Sequence, residues 1–303
     1  MGLNNNTFSY VMSQDPTNNY IIVRRKGGLG NQIFIVAATY IIQQYKSNQI
    51  NILLAPATDR DNTHLTSKYD YYNTLFSKFP NTYQIDIPQK FLGESYYFMY
   101  LAHLKQISYE SPEEKSYQPW DPSKIRTPSV LEGYFQFYPV MEAHIGNICR
   151  FLKDGLKDIR ANCIQKYPVL AIGAAFLHVR RGDYVEKYSD HFYTDHNIYY
   201  KAALAELNLL SSTKLFIFSD DIEYCKSVEL FKNIDSIFID ESDEMISLAL
   251  MSLCDKGAIC ANSTFSYWGA MLGTHQAGNK VIVPKNWCKD PPISLFPDSW
   301  HIL

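Results

Sequence analysis

The sequence predicts an α/β protein built from two Rossmann-like domains with mostly parallel sheets. The second half of the chain alternates short apolar segments with helical patterns, which is typical of a parallel sheet covered by helices. The first half opens with a strand, a glycine-rich loop, a helix and a second strand, the unit that begins a Rossmann-like sheet. A chain of 303 residues, 46% of them hydrophobic, is long enough for two such domains.

In the first half, the strongest patterns lie near the beginning and the end. Residues 56–128 show only patchy periodicity and several prolines, so a loop-rich region is predicted there. The predicted elements are strands over 20–23, 50–54 and 130–137 and helices over 32–45 and 140–165.

The second half has a more regular pattern. Asp195 is expected to cap the helix predicted over 197–210.

The patterns of the two halves predict the division of the chain. We place a disordered leader at 1–18, an N-terminal domain at 19–165 and a C-terminal domain at 166–303. The predicted strands are 170–179, 215–218, 236–239, 258–261 and 281–283, and the predicted helices are 197–210, 222–231, 244–254 and 265–274.

Charge and cysteine patterns exclude several classes of protein. Lys and Arg number 28 against 31 Asp and Glu, a balance too even for a general nucleic-acid binder. None of the six cysteines lies in a CxxC pair or near a histidine partner, so no zinc site is expected. No signal-peptide pattern opens the chain, and the longest apolar run, 169–177, is far shorter than the roughly 20 residues that cross a membrane. We expect a soluble, cytoplasmic protein.

Three polar clusters follow predicted strands of the second half. Ligands of open α/β sheets bind at the carboxyl ends of the strands, so we expect the clusters to lie together at one edge. They are His178-Val179-Arg180-Arg181-Gly182-Asp183-Tyr184, Ser219-Asp220-Asp221 and Asn262-Ser263-Thr264-Phe265-Ser266.

In the first cluster, Arg180 and Arg181 follow a very apolar strand and cannot both be buried without partners. A phosphate between them would satisfy their charge, because the planar guanidinium matches phosphate oxygens. An ion pair with Asp183, or a solvated turn, would satisfy it equally.

The third cluster and the glycine-rich loop each have two interpretations. A helix that starts after Ser263 would offer free N–H groups to a phosphate, or Ser263 or Thr264 would simply cap that helix. The loop around Gly28 and Gly30 permits close approach of the backbone to a ligand, or it is only a tight turn.

Paired carboxylates raise the question of a divalent metal. Candidates are Asp220 and Asp221, the segment Asp59-Arg60-Asp61 and the acidic stretch 240–244. Such short patterns recur by chance, and Asp220 or Asp221 can equally cap a helix or accept a hydrogen bond from a nucleotide base. We expect no metal site.

Four motifs resemble the family-11 glycosyltransferases, the α-1,2-fucosyltransferases. The lesser features at 133–136 and 283–287 agree, and the motifs keep the family's order over about 21–287, whereas 56–128 has no matching motif. The four are Gly27-Gly28-Leu29-Gly30-Asn31-Gln32, His178-Val179-Arg180-Arg181-Gly182-Asp183-Tyr184, Phe218-Ser219-Asp220-Asp221 and Ala261-Asn262-Ser263-Thr264-Phe265-Ser266-Tyr267-Trp268-Gly269-Ala270.

The resemblance implies a GT-B enzyme, with two facing Rossmann-like domains. Such an enzyme transfers fucose from GDP-β-L-fucose, with inversion, usually to O2 of a terminal β-galactoside. It implies the acceptor on the N-terminal domain, the donor on the C-terminal domain, and no metal or cofactor. The expected partners are GDP-fucose and a galactose-terminated glycan, with no nucleic acid.

The resemblance also implies roles for single residues. Arg180 would hold the β-phosphate, Asp220 or Asp221 with His178 would read the guanine, and Asn31 would approach the reacting centre. The remaining implied donor-site residues are Gly28, Gly30, Arg181, Asn262, Ser263, Thr264, Phe265 and Ser266.

The chemistry of glycosyl transfer fits these residue types. Cleavage of the sugar–phosphate bond builds positive charge on the anomeric carbon and negative charge on the diphosphate. An arginine with a helix N-terminus can stabilise that diphosphate without a metal. Asp183 and Glu186 are both candidates for a base on the acceptor hydroxyl, and weak base assistance can suffice. The alternatives are a metal-dependent glycosyltransferase of another donor specificity and a non-catalytic sugar- or nucleotide-binding protein.

Overall fold

Two parallel β-sheets organise the described chain. The computed structural model describes residues 19–46, 49–56, 69–85, 95–105, 108–111, 119–192, 197–289 and 294–303. The predictions for the leader 1–18, for Asp59-Arg60-Asp61 and for the cap Asp195 lie outside these residues.

The first sheet has five strands in the order β3-β2-β1-β5-β4, and every neighbouring pair is parallel. Its central strand has the sequence Tyr-Ile-Ile-Val and is buried throughout, as expected for a strand covered on both faces. In chain order the elements are β1 (Tyr20–Val23), α1 (Leu29–Lys46), β2 (Asn51–Leu54), α2 (Tyr71–Thr74), β3 (Thr82–Gln84), α3 (Ser95–Lys105), β4 (Ser108–Glu110), β5 (Ser129–Leu131), α4 (Tyr138–Met141) and α5 (Ile145–Lys166).

The second sheet has six strands in the order β11-β10-β9-β6-β7-β8, again all parallel. The elements are β6 (Ala174–Val179), α6 (Gly182–Glu186), α7 (Asn197–Leu207), β7 (Lys214–Ser219), α8 (Ile222–Ser227), α9 (Glu229–Lys232), β8 (Ser236–Ile239), α10 (Glu244–Met251), β9 (Gly257–Ile259), α11 (Thr264–Ala270), β10 (Val281–Val283) and β11 (His301–Ile302).

The described residues divide into two compact units, one around each sheet. The division falls inside α5, between Gly155 and Leu156, and the first unit also includes Ser294 and Leu295. The sequence places the boundary after residue 165, just before the same helix ends. None of the described helices combines the length and the apolar composition that a membrane crossing requires.

Several predicted elements end earlier than the apolar pattern suggests. The strand predicted over 130–137 stops at Leu131, because Phe135 adopts a left-handed φ of 58° that a strand cannot contain. The segment predicted as the start of β6 is a 3₁₀ turn, Pro168–Ala171, and Gly173 has a φ of 114° immediately before the strand. The helix predicted over 222–231 breaks at the extended residue Val228.

The apolar pattern of the sequence does not predict several short elements. The sequence does not predict β3, α3, β4 or β11, which are short or partly exposed. Helix α11 continues into a π-helical turn over Met271–His275. A three-residue strand is too short for a periodic signal, and its pairing with a distant strand decides its structure.

All six cysteine side chains are buried. Burial raises the pKa of the Cys163 thiol and of the Cys225 thiol to about 11, and that of Cys149 to about 12. These side chains therefore behave as small apolar groups of the core.

Candidate active site

The three polar clusters of the second half lie beside one another in the second unit. Strands β9, β6 and β7 are neighbours in the sheet, and β6 and β7 pair in register up to Val179 and Ser219. The segments that follow these parallel strands therefore leave the sheet at the same edge.

The guanidinium of Arg180 lies between two carboxylates. Its Nη2 donates to Asp183 Oδ1 at 2.5 Å, and its Nη1 is 2.8 Å from Asp220 Oδ2. Burial opposes the charge, but the two carboxylates outweigh that effect and raise the pKa of Arg180 above its ordinary value. The ion pair with Asp183, one of the three interpretations of this arginine, is present, and the side chain remains 19% exposed.

Arg181 donates hydrogen bonds from both its backbone and its side chain. Its backbone N–H donates to Asp220 Oδ1 at 2.9 Å, and its Nε donates to Asp221 Oδ2 at 3.1 Å. The guanidinium carbon lies 3.5 Å from the centre of the Tyr224 ring, a cation–π contact. Asp221 also caps α8 by accepting from the N–H of Tyr224. Asp220 is thus the residue that connects the two arginines.

Gly182 allows this arrangement. A Cβ atom at this position would collide with Oδ2 of Asp220, the oxygen that pairs with Arg180. Glu186, at the end of the same short helix α6, is exposed, whereas the side chain of Asp183 is only 14% exposed. The two candidate bases therefore differ in environment.

His178 is a buried, neutral histidine at the end of β6. Desolvation by burial, and secondarily the charge of Arg180, lowers the pKa of His178 to about 3. Its ring centre lies 5.9 Å from that of Phe265, and within the described chain its Nδ1 has no hydrogen-bond partner. Its backbone carbonyl accepts from the hydroxyl of Tyr200 at 3.0 Å.

The third cluster divides into structural and accessible residues. Ser263 caps α11 by accepting from the N–H of Phe265, and the buried hydroxyl of Ser266 donates to the Ser263 carbonyl at 3.1 Å. The fully buried Asn262 donates to the carbonyl of Trp287 at 2.8 Å and holds the following loop. Thr264 and Phe265 are the partly exposed members.

One aromatic residue of the site received no role from the sequence. The Tyr184 ring stacks on Phe192 at 3.9 Å, and its hydroxyl donates to the carbonyl of Asn262 at 3.3 Å. The Arg180 guanidinium lies 5.2 Å above the same ring. Tyr184 thereby links the loop after β6 to the loop after β9, and its place beside the arginine pair is the signal that could have identified it.

In the first unit, the glycine-rich loop leads directly into α1. Gly27 has a φ of 72°, and a Cβ there would lie 2.5 Å from Asn31 Nδ2. Gly28 follows without a left-handed φ, and Gly30 is buried within the first turn of α1. Asn31 accepts a hydrogen bond of 2.9 Å from Gln136 Nε2. This bond joins the glycine-rich motif to the motif at 133–136.

A second charged cluster, which the sequence did not predict, lies at the carboxyl ends of β1, β4 and β5. Glu132 Oε1 is 2.6 Å from Arg24 Nη1 and 3.5 Å from Lys26 Nζ. Its Oε2 accepts from the hydroxyl of Tyr109 at 2.7 Å, and Lys26 Nζ lies 4.4 Å above the Tyr134 ring. The signal was available, because charged residues directly follow two buried strands.

The family model for glycosyl transferase family 11 matches residues 129–301, more than half of the chain. The chain belongs to glycosyl transferase family 11. The matched segment includes every described cluster of the second unit that follows β6, β7 and β9. As a family 11 glycosyltransferase, the protein is an enzyme.

Two Escherichia coli proteins are relatives of this family 11 enzyme. One, named O-antigen biosynthesis glycosyltransferase WbnK, is 27% identical over 90% of this chain and 97% of its own length. The other, named alpha-1,2-colitosyltransferase, is 34% identical over 41% of this chain. The second match spans 45% of that relative's own length.

A solved structure has the same fold. A mutant of Arabidopsis thaliana FUT1 in complex with GDP superposes with a TM-score of 0.52, at 14% identity, over 94% of this chain and 76% of that chain. The predicted α/β, GT-B-like fold class with two mostly parallel sheets is confirmed.

The described residues of this family 11 enzyme contain no group of three His, Cys, Asp or Glu side chains arranged to hold a metal. Asp220 and Asp221 bind Arg180, Arg181 and the N-terminus of α8. In the acidic stretch 240–244, Asp243 caps α10 and Glu241 lies 3.6 Å from Lys166.

Proposed function

We propose that this family 11 enzyme is an α-1,2-fucosyltransferase. It moves L-fucose from GDP-β-L-fucose to O2 of a terminal galactose of a glycan, with inversion and without a metal. The observation that carries the proposal is the partly exposed, permanently charged Arg180 at the carboxyl edge of the second sheet. Two comparisons support it: a relative is named as an α-1,2 transferase, and GDP binds a protein of the same fold.

In the proposed reaction, Arg180 stabilises the leaving diphosphate. Asp183 and Asp220 hold the guanidinium in one orientation, so it needs little reorganisation when negative charge develops on the β-phosphate. The bond between the anomeric carbon and the phosphate oxygen breaks, and GDP leaves with the electron pair. The acceptor oxygen attacks from the opposite face, which inverts the anomeric configuration, and its proton passes to a base, for which Asp183 and Glu186 are the two candidates.

The residues around Arg180 would bind the rest of the donor. Thr264 and Phe265 are the accessible members of the loop after β9, and we assign them to the nucleotide. The buried His178 is neutral at physiological pH, so it can offer a guanine a hydrogen bond but no charge. We assign the donor to the second unit, the acceptor and Asn31 to the first, and the enzyme to the cytoplasm.

A colitosyl donor is the second candidate. The relative named alpha-1,2-colitosyltransferase is 34% identical over its matched segment, a higher identity than that of WbnK. The linkage would be the same, and only the transferred sugar would differ.

The test is a donor and acceptor screen with purified enzyme. GDP-fucose, GDP-colitose and UDP-galactose are each offered with a β-galactoside, and the product linkage is read by mass spectrometry and NMR. We expect transfer of fucose to O2, with equal activity in excess EDTA and in magnesium. Transfer only from GDP-colitose would select the second candidate. Activity that EDTA abolishes and manganese restores would select a metal-dependent reaction, and nucleotide binding without any transfer would select a non-catalytic protein.

A further inference from the structure

Three consecutive cations follow β1 at the carboxyl edge of the first sheet. Arg24 and Lys26 both reach Glu132, at 2.6 and 3.5 Å. Successive side chains of an extended segment point in opposite directions, and Arg25 accordingly lies on the side of β2 instead. The Glu132 carboxylate thus forms ion pairs with Arg24 and Lys26, but not with Arg25.

The surroundings of Arg25 compensate its charge only in part. The residue is 5% exposed, its Nε donates to the carbonyl of Ala55 at 2.8 Å, and its guanidinium carbon lies 5.6 Å from the centre of the Phe76 ring. Within the described part of the chain, its two terminal nitrogens have no hydrogen-bond partner and it forms no ion pair. A buried cation in such a position is costly unless something pairs with it.

Arg25 nevertheless keeps its charge. Burial lowers the pKa of Arg25 to about 10, an effect that the more distant Asp70, Tyr71 and Tyr72 reduce, so the group is protonated at neutral pH. The Asp70 carboxylate is engaged elsewhere, because it caps α2 by accepting from the N–H of Asn73 at 2.8 Å.

We propose that Arg25 binds an oxyanion carried by the acceptor, a carboxylate or a phosphate group. The guanidinium of Arg25 donates only its Nε–H to the described chain, and the two parallel N–H groups on another edge of a guanidinium match two oxygens of such an anion. The carboxyl edge of a parallel sheet is where ligands bind. The assignment of this anion to the acceptor rests on the proposed function, whereas the anion site itself does not.

The first test measures binding without any donor. Methyl β-D-glucuronide, galactose 6-phosphate and inorganic phosphate are titrated into protein labelled with ¹⁵N in its arginines, and the Nε–H signal of Arg25 is followed. Neutral methyl β-D-glucoside is the negative probe. We expect saturable shifts with an anionic probe, and Arg25→Gln should weaken that binding by about tenfold or more. Binding of the uronide alone assigns a carboxylate, and binding of the phosphates alone assigns a phosphate.

Arg150→Gln is the matched control. This arginine also lies over a phenylalanine, with its guanidinium carbon 4.5 Å from the Phe151 ring centre, but it is exposed. Its replacement should leave anion binding unchanged. Equal weakening in both variants, or anion affinity in Arg25→Gln equal to wild type, would overturn the proposal.

Asp70→Asn provides a test that does not depend on the folding of Arg25→Gln. Asparagine also caps helices, so α2 is retained while a nearby negative charge is removed. An anion at Arg25 should bind more tightly to this variant. Unchanged anion affinity with lowered thermal stability would instead identify Asp70 as the counterion of Arg25.

Transfer is measured separately, so that the two proposals fail separately. Anion binding that depends on Arg25, in a protein with no transferase activity, overturns only the proposed function. The opposite result is transfer to acidic and neutral galactosides at equal rates, in a protein that binds no anion. That result overturns only the inference about Arg25.

Discussion

Gly182 and Asp220 lie so close together that a methyl group on the glycine would overlap a carboxylate oxygen of the aspartate. The same carboxylate accepts from the backbone of Arg181 and pairs with the guanidinium of Arg180. The absence of a side chain at position 182 therefore leaves room for the carboxylate of Asp220, which in turn binds both arginines.

Gly182→Ala should impair catalysis more than folding. The added Cβ displaces the Asp220 carboxylate, so Arg180 loses one of its two carboxylate partners. We expect kcat to fall at least about tenfold, with a stability loss of about 1–2 kcal/mol typical of overpacking. Steady-state kinetics and urea unfolding measure the two effects. The control is Gly146→Ala, where a Cβ meets nothing within 4 Å; unchanged kcat in both variants would refute the role of Gly182.

Arg180→Ala should lower kcat by about 10²–10³-fold or more, because the contact with the leaving phosphate strengthens towards the transition state. Arg180→Lys should recover little. A single ammonium cannot contact Asp183, Asp220 and a phosphate in the way that the planar guanidinium does. The measurement is kcat and KM for each variant after its folding has been verified.

Arg181→Ala should be milder than Arg180→Ala. Its guanidinium is already engaged by Asp221 and the Tyr224 ring, and its contact with Asp220 uses the backbone, which the substitution keeps. If Arg181→Ala has the lower kcat of the two variants, the phosphate-binding arginine is misassigned.

His178 should make the protein less stable in acid. In the unfolded chain its pKa is near 6.5, whereas in the folded protein burial and Arg180 lower the pKa of His178 to about 3. The unfolded state thus binds the extra proton between these values, and stability is lost as the pH falls below about 6.5, with a slope that approaches about 1.4 kcal/mol per pH unit. Urea unfolding of wild type and His178→Gln between about pH 7.5 and 5 should show a shallower dependence in the variant; parallel curves would contradict the assignment.

Glu132→Gln should destabilise the first unit by about 3 kcal/mol, because it removes the carboxylate that is paired with the buried Arg24. Glu223→Gln is the control. Its partner is Lys226, and the two side chains are 78% and 41% exposed, so the loss should stay below about 1 kcal/mol. Chemical denaturation of both variants measures the free energy of unfolding. Equal losses would show that the buried ion pair of Glu132 stabilises the fold no more than an exposed pair does.

Part of the site could be predicted because its signal is local. Strands β6 and β7 are short apolar runs that end directly before polar residues, and parallel pairing brings those ends together whatever their distance in sequence. The family motifs lie in these segments. The predicted domain boundary was set by the apolar onset of the second half and not by α5, whose amphipathic pattern continues without a break across Gly155 and Leu156.

Other parts depend on contacts that no local pattern encodes. Arg24 and Glu132 are 108 positions apart, so their ion pair exists only because β1 and β5 are neighbours. Strand β4 has three partly buried residues and becomes a strand through its pairing with β5. The glycine motif pointed to Gly28 and Gly30, whereas the left-handed backbone is at Gly27, where Asn31 also occupies the space that a side chain would need.

The burial of every cysteine makes the native protein nearly inert to thiol reagents. Maleimide or disulfide probes can react only when the fold opens locally or globally, so the rate of labelling at each cysteine reports how often its surroundings open. Cys149 would report on the first unit, and Cys260, beside the donor-side loop, on the second. A single cysteine introduced on the surface could carry a fluorophore without removal of the natural ones.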